Sequence, residues 1–277
     1  ADQLARAGWR VDRLGVDRGG ELRTTDLAKL FSPETQVVCA ILGHNETGVL
    51  QPVTEIAALC AECGVPLHTD AAQVVGKLPV DFRTLGAATM SFAAHKFHGP
   101  LGIGALVVRH GVALTPQLVG GFQQAGLRPG TESVALAVGM LTALELWHTE
   151  QDARRVRLTA LRDEFERMIC SGWPDAVVLG EESPRLPHTS NIAFVGLERQ
   201  ALFIALDQAG VACSTGSACA SGSSEPSPAL VAMGLDKALF SSALRFSFGA
   251  TTTAAEVAES SRRILNVCNG LRRRKEV

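Results

Sequence analysis

Tyrosine is absent from this sequence of 277 residues, and aromatic residues make up only 5% of it. The lack of Tyr excludes dehydrogenases that use a Ser-Tyr-Lys acid and pyridoxal enzymes that stack a Tyr on their cofactor. The chain also lacks an excess of either charge, because its 26 Lys and Arg residues nearly balance its 28 Asp and Glu residues. Nucleic-acid binding requires a basic field or aromatic stacking platforms. We therefore expect no direct nucleic-acid partner.

Long apolar runs are also missing. The most apolar stretch, residues 133–147, contains Glu145 and is shorter than a membrane span. No secretory signal is recognisable at the start. The seven Cys are odd in number and scattered, which does not suit a disulfide framework. We expect no membrane partner and a cytoplasmic or organelle-matrix location.

What the sequence does contain is an alternation of strand and helix patterns. Apolar residues make up 46% of the chain, enough to bury a core. The first half predicts strands at 37–42, 65–70, 89–93 and 103–109 and a helix at 52–64. This alternation predicts parallel strands linked by helices.

The second half predicts a different arrangement. Two helices are predicted, at 131–149 and 151–170, and a domain boundary is placed near residue 150. Strand patterns follow in AVVLG, NIAFVGL and ALRFSFG. The last helix begins with a capping box, Thr253 to Glu256.

Two residues in the first half, a lysine and an aspartate, have chemistries that can work together in covalent catalysis. Lys96 lies in AAHKFHGPLGIG, after a predicted strand, where a partly desolvated amine can form a Schiff base. Asp70, in LHTDAAQ, ends another predicted strand, where open α/β sheets bind ligands. A carboxylate there can hold a pyridinium nitrogen protonated. Taken alone, Lys96 is an ordinary surface lysine and Asp70 a helix cap.

Two loops add further candidates. Asn45, in HNETG, follows a strand and can donate a hydrogen bond to a phenolate-like oxygen, whereas Glu46 is a structural candidate; a simple turn is the alternative. Cys219 lies in the small-residue loop STGSACASGSSEPS. A thiol in such a loop is accessible, whereas Cys39 and Cys170 lie in apolar patterns typical of a core.

Six motifs, in order along the chain, resemble the cysteine desulfurases of the NifS/IscS-like group. This group belongs to the class V aminotransferase family of fold type I pyridoxal-phosphate enzymes. The motifs are HNETGVLQPV, HTDAAQVVGKLPVDF, MSFAAHKFHGPLGIGALVVR, GLRPGTES, STGSACASGSSEPS and ALRFSFGATTT. They cover nearly all of the chain from about residue 35 onward.

The resemblance implies an α/β fold with two domains. Residues 1–150 would form the large pyridoxal-phosphate-binding domain, with a mainly parallel sheet flanked by helices. Residues 151–277 would form a smaller α+β domain that carries the Cys219 loop. The family's opening segment, with a Gly-Ala-Thr phosphate loop and a His that stacks on the pyridine ring, has no counterpart here. We therefore expect the N-terminal part of the large domain to be absent and Ala1 to be a truncation point.

The resemblance also assigns roles toward the cofactor, pyridoxal 5'-phosphate. Lys96 would form the Schiff base, and Asp70 would pair with the pyridine nitrogen. Gln73 and Asn45 would hydrogen-bond the O3′ oxygen. His95 would contact the phosphate or help to move protons. A further residue, Thr131 in RPGTES, would reach the phosphate of the neighbouring subunit, which implies a homodimer.

Toward the substrate, L-cysteine, the resemblance assigns Arg245 and Cys219. Arg245 would hold the carboxylate as a bidentate fork, beside Asn45. Cys219 would attack the substrate sulfur and keep it as a persulfide, while L-alanine is released. The sulfur would pass to an acceptor, such as an iron–sulfur scaffold protein or a tRNA thiolation pathway. No resident metal is expected, and the Cys60 and Cys63 pair is interpreted as structural.

Three positions depart from the family pattern, and two other functions stay open. Ala93 stands where many relatives have a Ser, Ala250 where an Arg is common and His44 where an Asn is frequent. The first alternative function is a selenocysteine lyase or another class V pyridoxal-phosphate enzyme. The second is a non-catalytic fragment or interaction protein that has kept the fold.

Overall fold

The structure, a computed structural model, describes residues 2–216 and 227–275. Its chain forms two compact units. The first unit comprises Gln36–Leu42 and Val53–Ala153; the second comprises Ala1–Thr35, Gly43–Pro52 and Arg154–Val277. The domain limits of 1–150 and 151–277 stay a prediction.

The described residues contain helices and strands in alternation. The helices are α1 (Asp2–Arg6), α2 (Thr24–Leu27), α3 (Val53–Glu62), α4 (Phe82–Leu85), α5 (Val134–Gly172), α6 (Arg199–Gln208), α7 (Pro228–Ala232), α8 (Lys237–Phe240) and α9 (Ala254–Lys275). The strands are β1 (Val38–Ile41), β2 (Leu67–Asp70), β3 (Thr89–Ala93), β4 (Gly104–Val108), β5 (Ala176–Val178), β6 (Thr189–Phe194) and β7 (Ala243–Ser247). Two short 3₁₀ turns span Ala94–Phe97 and Gln123–Gly126.

The first unit is built on a four-stranded sheet in the order β1-β2-β3-β4. The first three strands run parallel, which confirms the predicted strand–helix alternation. The expectation of parallel strands is wrong for β4, which pairs antiparallel to β3. Only residues 94–103 separate the two strands, and a parallel crossover needs a dozen or more residues.

Helix α3 links β1 to β2 and packs through one apolar stripe. Its buried residues are Val53, Ile56, Ala57 and Cys60, which recur at the helical spacing of three and four. Gly64 follows the helix with a φ of +67°, in the left-handed region that suits a glycine. The predicted helix at 52–64 is confirmed.

The second unit has an antiparallel sheet in the order β5-β6-β7, and all six residues of the central strand β6 are buried. Helices α5, α6 and α9 contribute to the core of this unit, for example through Phe165, Leu202 and Ile264. The capping box at the start of α9 is confirmed. The backbone N–H and the hydroxyl of Thr253 both donate to the Glu256 carboxylate, and the backbone N–H of Glu256 donates to the Thr253 hydroxyl.

The prediction of two helices at 131–149 and 151–170 is wrong. A single helix, α5, runs without a break over 39 residues. The sequence around the expected boundary, HTEQDA at residues 148–153, contains neither Gly nor Pro, so nothing in it ends a helix. Among the described residues, no helix is both long and apolar enough to cross a membrane.

Candidate active site

The carboxyl ends of β2 and β3 bring two predicted site residues to one edge of the first unit's sheet. Asp70 is the last residue of β2 and lies opposite Ser91 of the parallel strand β3. Lys96 lies in the 3₁₀ turn that follows β3. Neighbouring parallel strands end at the same edge, which is where open α/β sheets bind ligands. The predicted pair of carboxylate and amine therefore shares one edge.

Close packing fixes the turn that carries Lys96. A Cβ atom added at Gly76 would lie 2.3 Å from Cβ of Phe97, so only a glycine allows this approach. Gly76 also has a φ of +74°, which favours glycine. Gly76 belongs to the turn after β2, whereas Phe97 is the buried neighbour of Lys96. The contact thus holds the Gln73 turn against the Lys96 turn.

The remaining predicted residues of the first unit differ in exposure. Asp70 and His95 are exposed, Lys96 and Gln73 are half-buried, and Thr131 is exposed shortly before α5. Asp70 Oδ1 accepts a hydrogen bond of 2.9 Å from the backbone N–H of Ala72, which orients the carboxylate.

His68 is a residue of this edge to which the sequence analysis gave no role. It lies two residues before Asp70 in β2, so both side chains project from the same face of the sheet. Its Nδ1 lies 2.8 Å from the hydroxyl of Thr89, and its Nε2 lies 3.3 Å from the hydroxyl of Ser91. The sequence signal for His68 is its spacing of two residues from Asp70 in the strand segment LHTD, which puts both side chains on one face.

In the second unit, the turn of residues 44–48 presents Asn45. The backbone N–H groups of Glu46 and Thr47 each donate to Nδ1 of His44 at 3.3 Å. An Asn side chain makes such bonds in Asx turns, which explains why His44 can occupy this position. Burial lowers the pKa of His44; nearby Glu46 opposes that shift and Arg245 adds to it. A neutral ring suits the acceptor role of Nδ1.

Arg245 lies in β7 and reaches this turn. Its Nη1 donates a hydrogen bond of 3.0 Å to the backbone oxygen of Asn45. Its backbone N–H and C=O pair with those of Ser214, at 2.8 and 3.0 Å. Burial lowers the pKa of the Arg245 guanidinium, and the Glu46 carboxylate opposes that shift. The predicted substrate residues Asn45 and Arg245 are therefore in direct contact.

The predicted nucleophile, Cys219, lies outside the described residues. Two other cysteines are poor nucleophiles, because burial raises the pKa of Cys213 and Cys268 to about 12. Burial also raises the pKa of Cys60, to about 11, with a smaller contribution from Cys63. A reactive thiol requires a lowered pKa. Among the described residues, no cluster of three or more His, Cys, Asp or Glu is arranged to hold a metal ion.

Residues 1–259 match the aminotransferase class-V family. The chain belongs to this family. The match covers the candidate residues of each unit, which are Asp70 and Lys96 in the first unit and Asn45 and Arg245 in the second. The predicted family and fold class are confirmed by this match and by the structural neighbours described below.

The class-V relatives include proteins named cysteine desulfurase. The chain is 41% identical to the cysteine desulfurase of Gluconacetobacter diazotrophicus over 95% of its own length and 65% of that protein. It is 39% identical to the cysteine desulfurase NifS of Azotobacter vinelandii, over 92% of this chain and 64% of that protein. The chain thus spans about 65% of the length of the curated relatives it matches.

Solved structures show the same class-V architecture. A NifS-like protein superposes with a TM-score of 0.88 at 29% identity, covering 98% of this chain and 71% of that one. A structure described as SspA in complex with cysteine has a TM-score of 0.77 at 30% identity, covering 91% of this chain and 70% of that one.

Proposed function

We propose that this chain supplies the cofactor and substrate residues of a cysteine desulfurase. Such an enzyme removes sulfur from L-cysteine and gives L-alanine and a persulfide on Cys219. The observation that carries the proposal is the placement of Asp70 and Lys96 at neighbouring carboxyl ends of parallel strands in a class-V family member. The relatives named cysteine desulfurase and the neighbour solved with cysteine support this substrate.

The donor set at this edge fits pyridoxal phosphate. The carboxylate of Asp70 lies at the end of β2, and the amide of Gln73 and the amine of Lys96 lie on the turns that follow β2 and β3. When bound, the cofactor supplies an electron sink for negative charge at the substrate Cα. Lys96 would hold the cofactor covalently, and the Asp70 carboxylate would keep its ring nitrogen protonated.

Other residues of the chain would orient the cofactor and the substrate. Gln73 and Asn45 would donate to the O3′ oxygen. His95 would contact the phosphate or carry a proton, and Thr131 would reach the phosphate of a second subunit. Arg245 would bind the substrate carboxylate, a role suited to the fork of the guanidinium.

Cys219 would act as the sulfur acceptor. As a thiolate it would attack the substrate sulfur, so that the S–S bond forms while the Cβ–S bond of the substrate breaks. The electron pair of the broken bond would stay on the carbon fragment, which takes up a proton to give L-alanine, and the sulfur would remain on Cys219 as a persulfide. An ordinary thiol has a pKa of about 8.5, so cationic groups of the site are needed to favour the thiolate near neutral pH. The raised pKa values of Cys60, Cys213 and Cys268 support the choice of a different cysteine as the nucleophile.

The first test is cofactor binding. Adding pyridoxal phosphate to the purified protein is expected to produce the visible absorption band of a lysine-bound cofactor. Lys96→Ala should abolish the band, whereas Lys29→Ala, at an exposed lysine paired with Asp26, should keep it. A wild-type protein without the band would contradict the proposal.

The second test is sulfur release from L-cysteine in the presence of a thiol reductant. Wild-type protein is expected to form alanine and sulfide in equal amounts. Cys219→Ala should keep the visible band and lose sulfide release, whereas Cys63→Ala, at an exposed cysteine, should retain both. Sulfide release by Cys219→Ala at the wild-type rate would show that another residue is the nucleophile. A parallel assay with L-selenocysteine separates a desulfurase from a selenocysteine lyase.

The proposal extends to partners and location. We propose a homodimer in which Thr131 acts across the interface, and a protein acceptor for the persulfide sulfur, in iron–sulfur cluster assembly or tRNA thiolation. A cytoplasmic or organelle-matrix location suits a chain whose described cysteines, Cys39, Cys60, Cys63, Cys170, Cys213 and Cys268, are free thiols.

A further inference from the structure

Glu46 is a buried carboxylate next to Asn45, and only 5% of the residue is exposed. Its Oε2 has no hydrogen-bond partner among the described residues. Burying a carboxylate is costly unless an opposite charge lies close by. His44 in the same turn does not supply this charge, because its Nδ1 accepts backbone hydrogen bonds and burial lowers its pKa.

Arg245 is the cation that reaches the turn of Glu46, because its Nη1 donates a hydrogen bond of 3.0 Å to the backbone oxygen of the neighbouring Asn45. The carboxylate opposes the effect of burial on the pKa of the Arg245 guanidinium. Arg245 Nε, like Glu46 Oε2, has no hydrogen-bond partner among the described residues. The carboxylate therefore acts on the guanidinium through space, with no bond that occupies Nε.

The free edge of this guanidinium is the one that a carboxylate needs. Nη1 is taken by the backbone oxygen of Asn45 at 3.0 Å. Nε and Nη2 share the opposite, side-on edge of the planar group, which can bind a carboxylate through two parallel hydrogen bonds. Nε is buried and unpartnered in the described structure, so this edge still has a donor to offer.

The backbone of Glu46 is fixed beside Arg245. Asn191 Nδ2 donates a hydrogen bond of 3.2 Å to the backbone oxygen of Glu46. Asn191 is 2% exposed and lies directly opposite Arg245 in the pairing of β6 with β7. One residue of the sheet thus connects the turn that carries the carboxylate to the strand that carries the guanidinium.

We propose that Glu46 is a positioning residue whose charge holds the Arg245 guanidinium against Asn45, with its Nε edge left free of protein hydrogen bonds for the substrate carboxylate. The inference rests on the proposed function, because it takes L-cysteine as the ligand of Arg245. Without the charge of Glu46, the guanidinium loses its buried counter-charge, and the long side chain turns toward water. Recognition of the carboxylate then weakens, although Arg245 itself is intact.

The first test observes Arg245 directly and needs neither cofactor nor turnover. The Nε–H signal in protein labelled with ¹⁵N-arginine is assigned by its loss in Arg245→Lys, and its exchange with water is measured. In Glu46→Gln we expect exchange to be faster by about tenfold or more, because burial no longer protects this donor. Glu46→Asp retains the charge and should stay close to wild type. Glu182→Gln, at an exposed carboxylate of the same unit, is the control. Unchanged exchange in Glu46→Gln would overturn the inference.

The second test measures ligand recognition in the holoenzyme, from the change in the cofactor's absorption on adding ligand. Glu46→Gln should weaken L-cysteine binding by roughly tenfold, equivalent to one charge-assisted hydrogen bond. Cysteamine lacks the carboxylate and should bind wild type and Glu46→Gln equally. Tighter binding of L-cysteine by Glu46→Gln, or an equal loss for both ligands, would contradict a positioning role. If wild-type holoenzyme shows no desulfurase activity, the proposed function fails, while the exchange test still decides the role of Glu46.

Discussion

Arg245 is held at both its backbone and its side chain. Its strand pairs with Ser214, at the start of the segment that leads to Cys219, and its Nη1 is anchored on Asn45. The backbone contacts fix where the Arg245 side chain begins, and the Asn45 contact fixes the direction in which its guanidinium points. The residue proposed to bind substrate therefore depends on a planar group with several donors, which a lysine cannot replace.

We predict that Arg245→Lys raises the KM for L-cysteine by about 10- to 100-fold, the effect of losing a hydrogen bond to a charged group. The kcat should change much less, because Arg245 is assigned to binding. Steady-state alanine formation measures both constants. Arg262→Lys, at an exposed ion pair on α9, is the control and should match wild type. An unchanged KM in Arg245→Lys would show that the carboxylate is bound elsewhere.

At the scale of single residues, the family motifs predict candidate site residues, and the structure shows which of them lie together. Asp70 and Lys96 share a sheet edge, and Asn45 contacts Arg245. Asn191 was outside its reach, because a single polar residue in a buried strand has no spacing pattern. Glu46 was noted only as a structural candidate. Its burial and its backbone contact with Asn191, which pairs with Arg245, depend on the three-dimensional fold.

At the scale of elements, the Gly76 and Phe97 contact joins two turns of the candidate site. We predict that Gly76→Ala lowers the free energy of unfolding by roughly 2–5 kcal/mol, which combines the strain of a positive φ with overpacking against Phe97. It should also weaken the visible band of bound cofactor, since Lys96 is next to Phe97. Urea denaturation and absorbance measure the two effects.

Gly64→Ala is the matched control for Gly76→Ala. Gly64 also has a positive φ, +67°, but an added Cβ atom would meet nothing within 4 Å. This variant should therefore show only the strain, about 1–2 kcal/mol, and keep the cofactor band. Equal losses in the two variants would mean that the contact with Phe97 does not hold the turn.

A buried ion pair lies beside the Asn45 turn of the second unit. Arg185 and Glu166 form a bidentate pair at 2.7 and 3.0 Å, and their side chains are only 6% and 9% exposed. Arg185 also forms a β-bridge with Val49, next to the turn that presents Asn45. The pair therefore connects α5 to that turn.

We predict that Arg185→Leu lowers the free energy of unfolding by about 3–5 kcal/mol, because it leaves the Glu166 carboxylate buried without a partner. The double variant Arg185→Leu with Glu166→Met should recover much of this loss, since no charge then remains unpaired. Urea denaturation of both variants measures the difference. A double variant that is less stable than the single one would contradict this account.

Sequence patterns predicted most helices and strands. They failed for the direction of β4, which depends on the length of a connection, and for the continuity of helix α5. Strand β4 (GALVV) is apolar like the parallel strand β1 (VCAI), so its composition does not reveal its direction, which follows from the short connection to β3. Helix α5 was divided in two because its pattern changes from apolar to charged near residue 150, although helical hydrogen bonding continues through that point. A change in the environment of a helix is not a signal for its end.

At the scale of the whole molecule, buried thiols make stability depend on alkaline pH. Each unit has a fully buried cysteine, Cys60 in the first and Cys268 in the second. Their pKa values are raised from 9.0 to about 11 and about 12, chiefly by burial. The sequence contains no Tyr, so no phenol titrates in the same range. Among side chains that become negatively charged above pH 9, the thiols therefore cause most of the change in the free energy of unfolding.

We predict that the free energy of unfolding falls as pH rises above about 9, by up to about 1.4 kcal/mol per pH unit for each thiol. Above its ordinary pKa the thiol of the unfolded chain loses its proton, whereas the folded chain keeps it, so rising pH favours unfolding. The loss continues to pH about 11 for Cys60 and about 12 for Cys268. Urea unfolding at a series of pH values, followed by fluorescence in a variant that keeps the buried Trp173 and replaces Trp9 and Trp147 with Phe, reports on the second unit.

The variant Cys268→Ala separates this effect from other alkaline changes. It should reduce the pH slope of the second unit's unfolding free energy by about one proton, even though the smaller side chain lowers stability at neutral pH. Cys63→Ala, at an exposed thiol of the first unit, should leave that slope unchanged. An undiminished slope in Cys268→Ala would mean that the Cys268 thiol ionises equally well in the folded and unfolded chain. Its burial among Trp173, Ile264 and the other core residues of this unit argues for the opposite result.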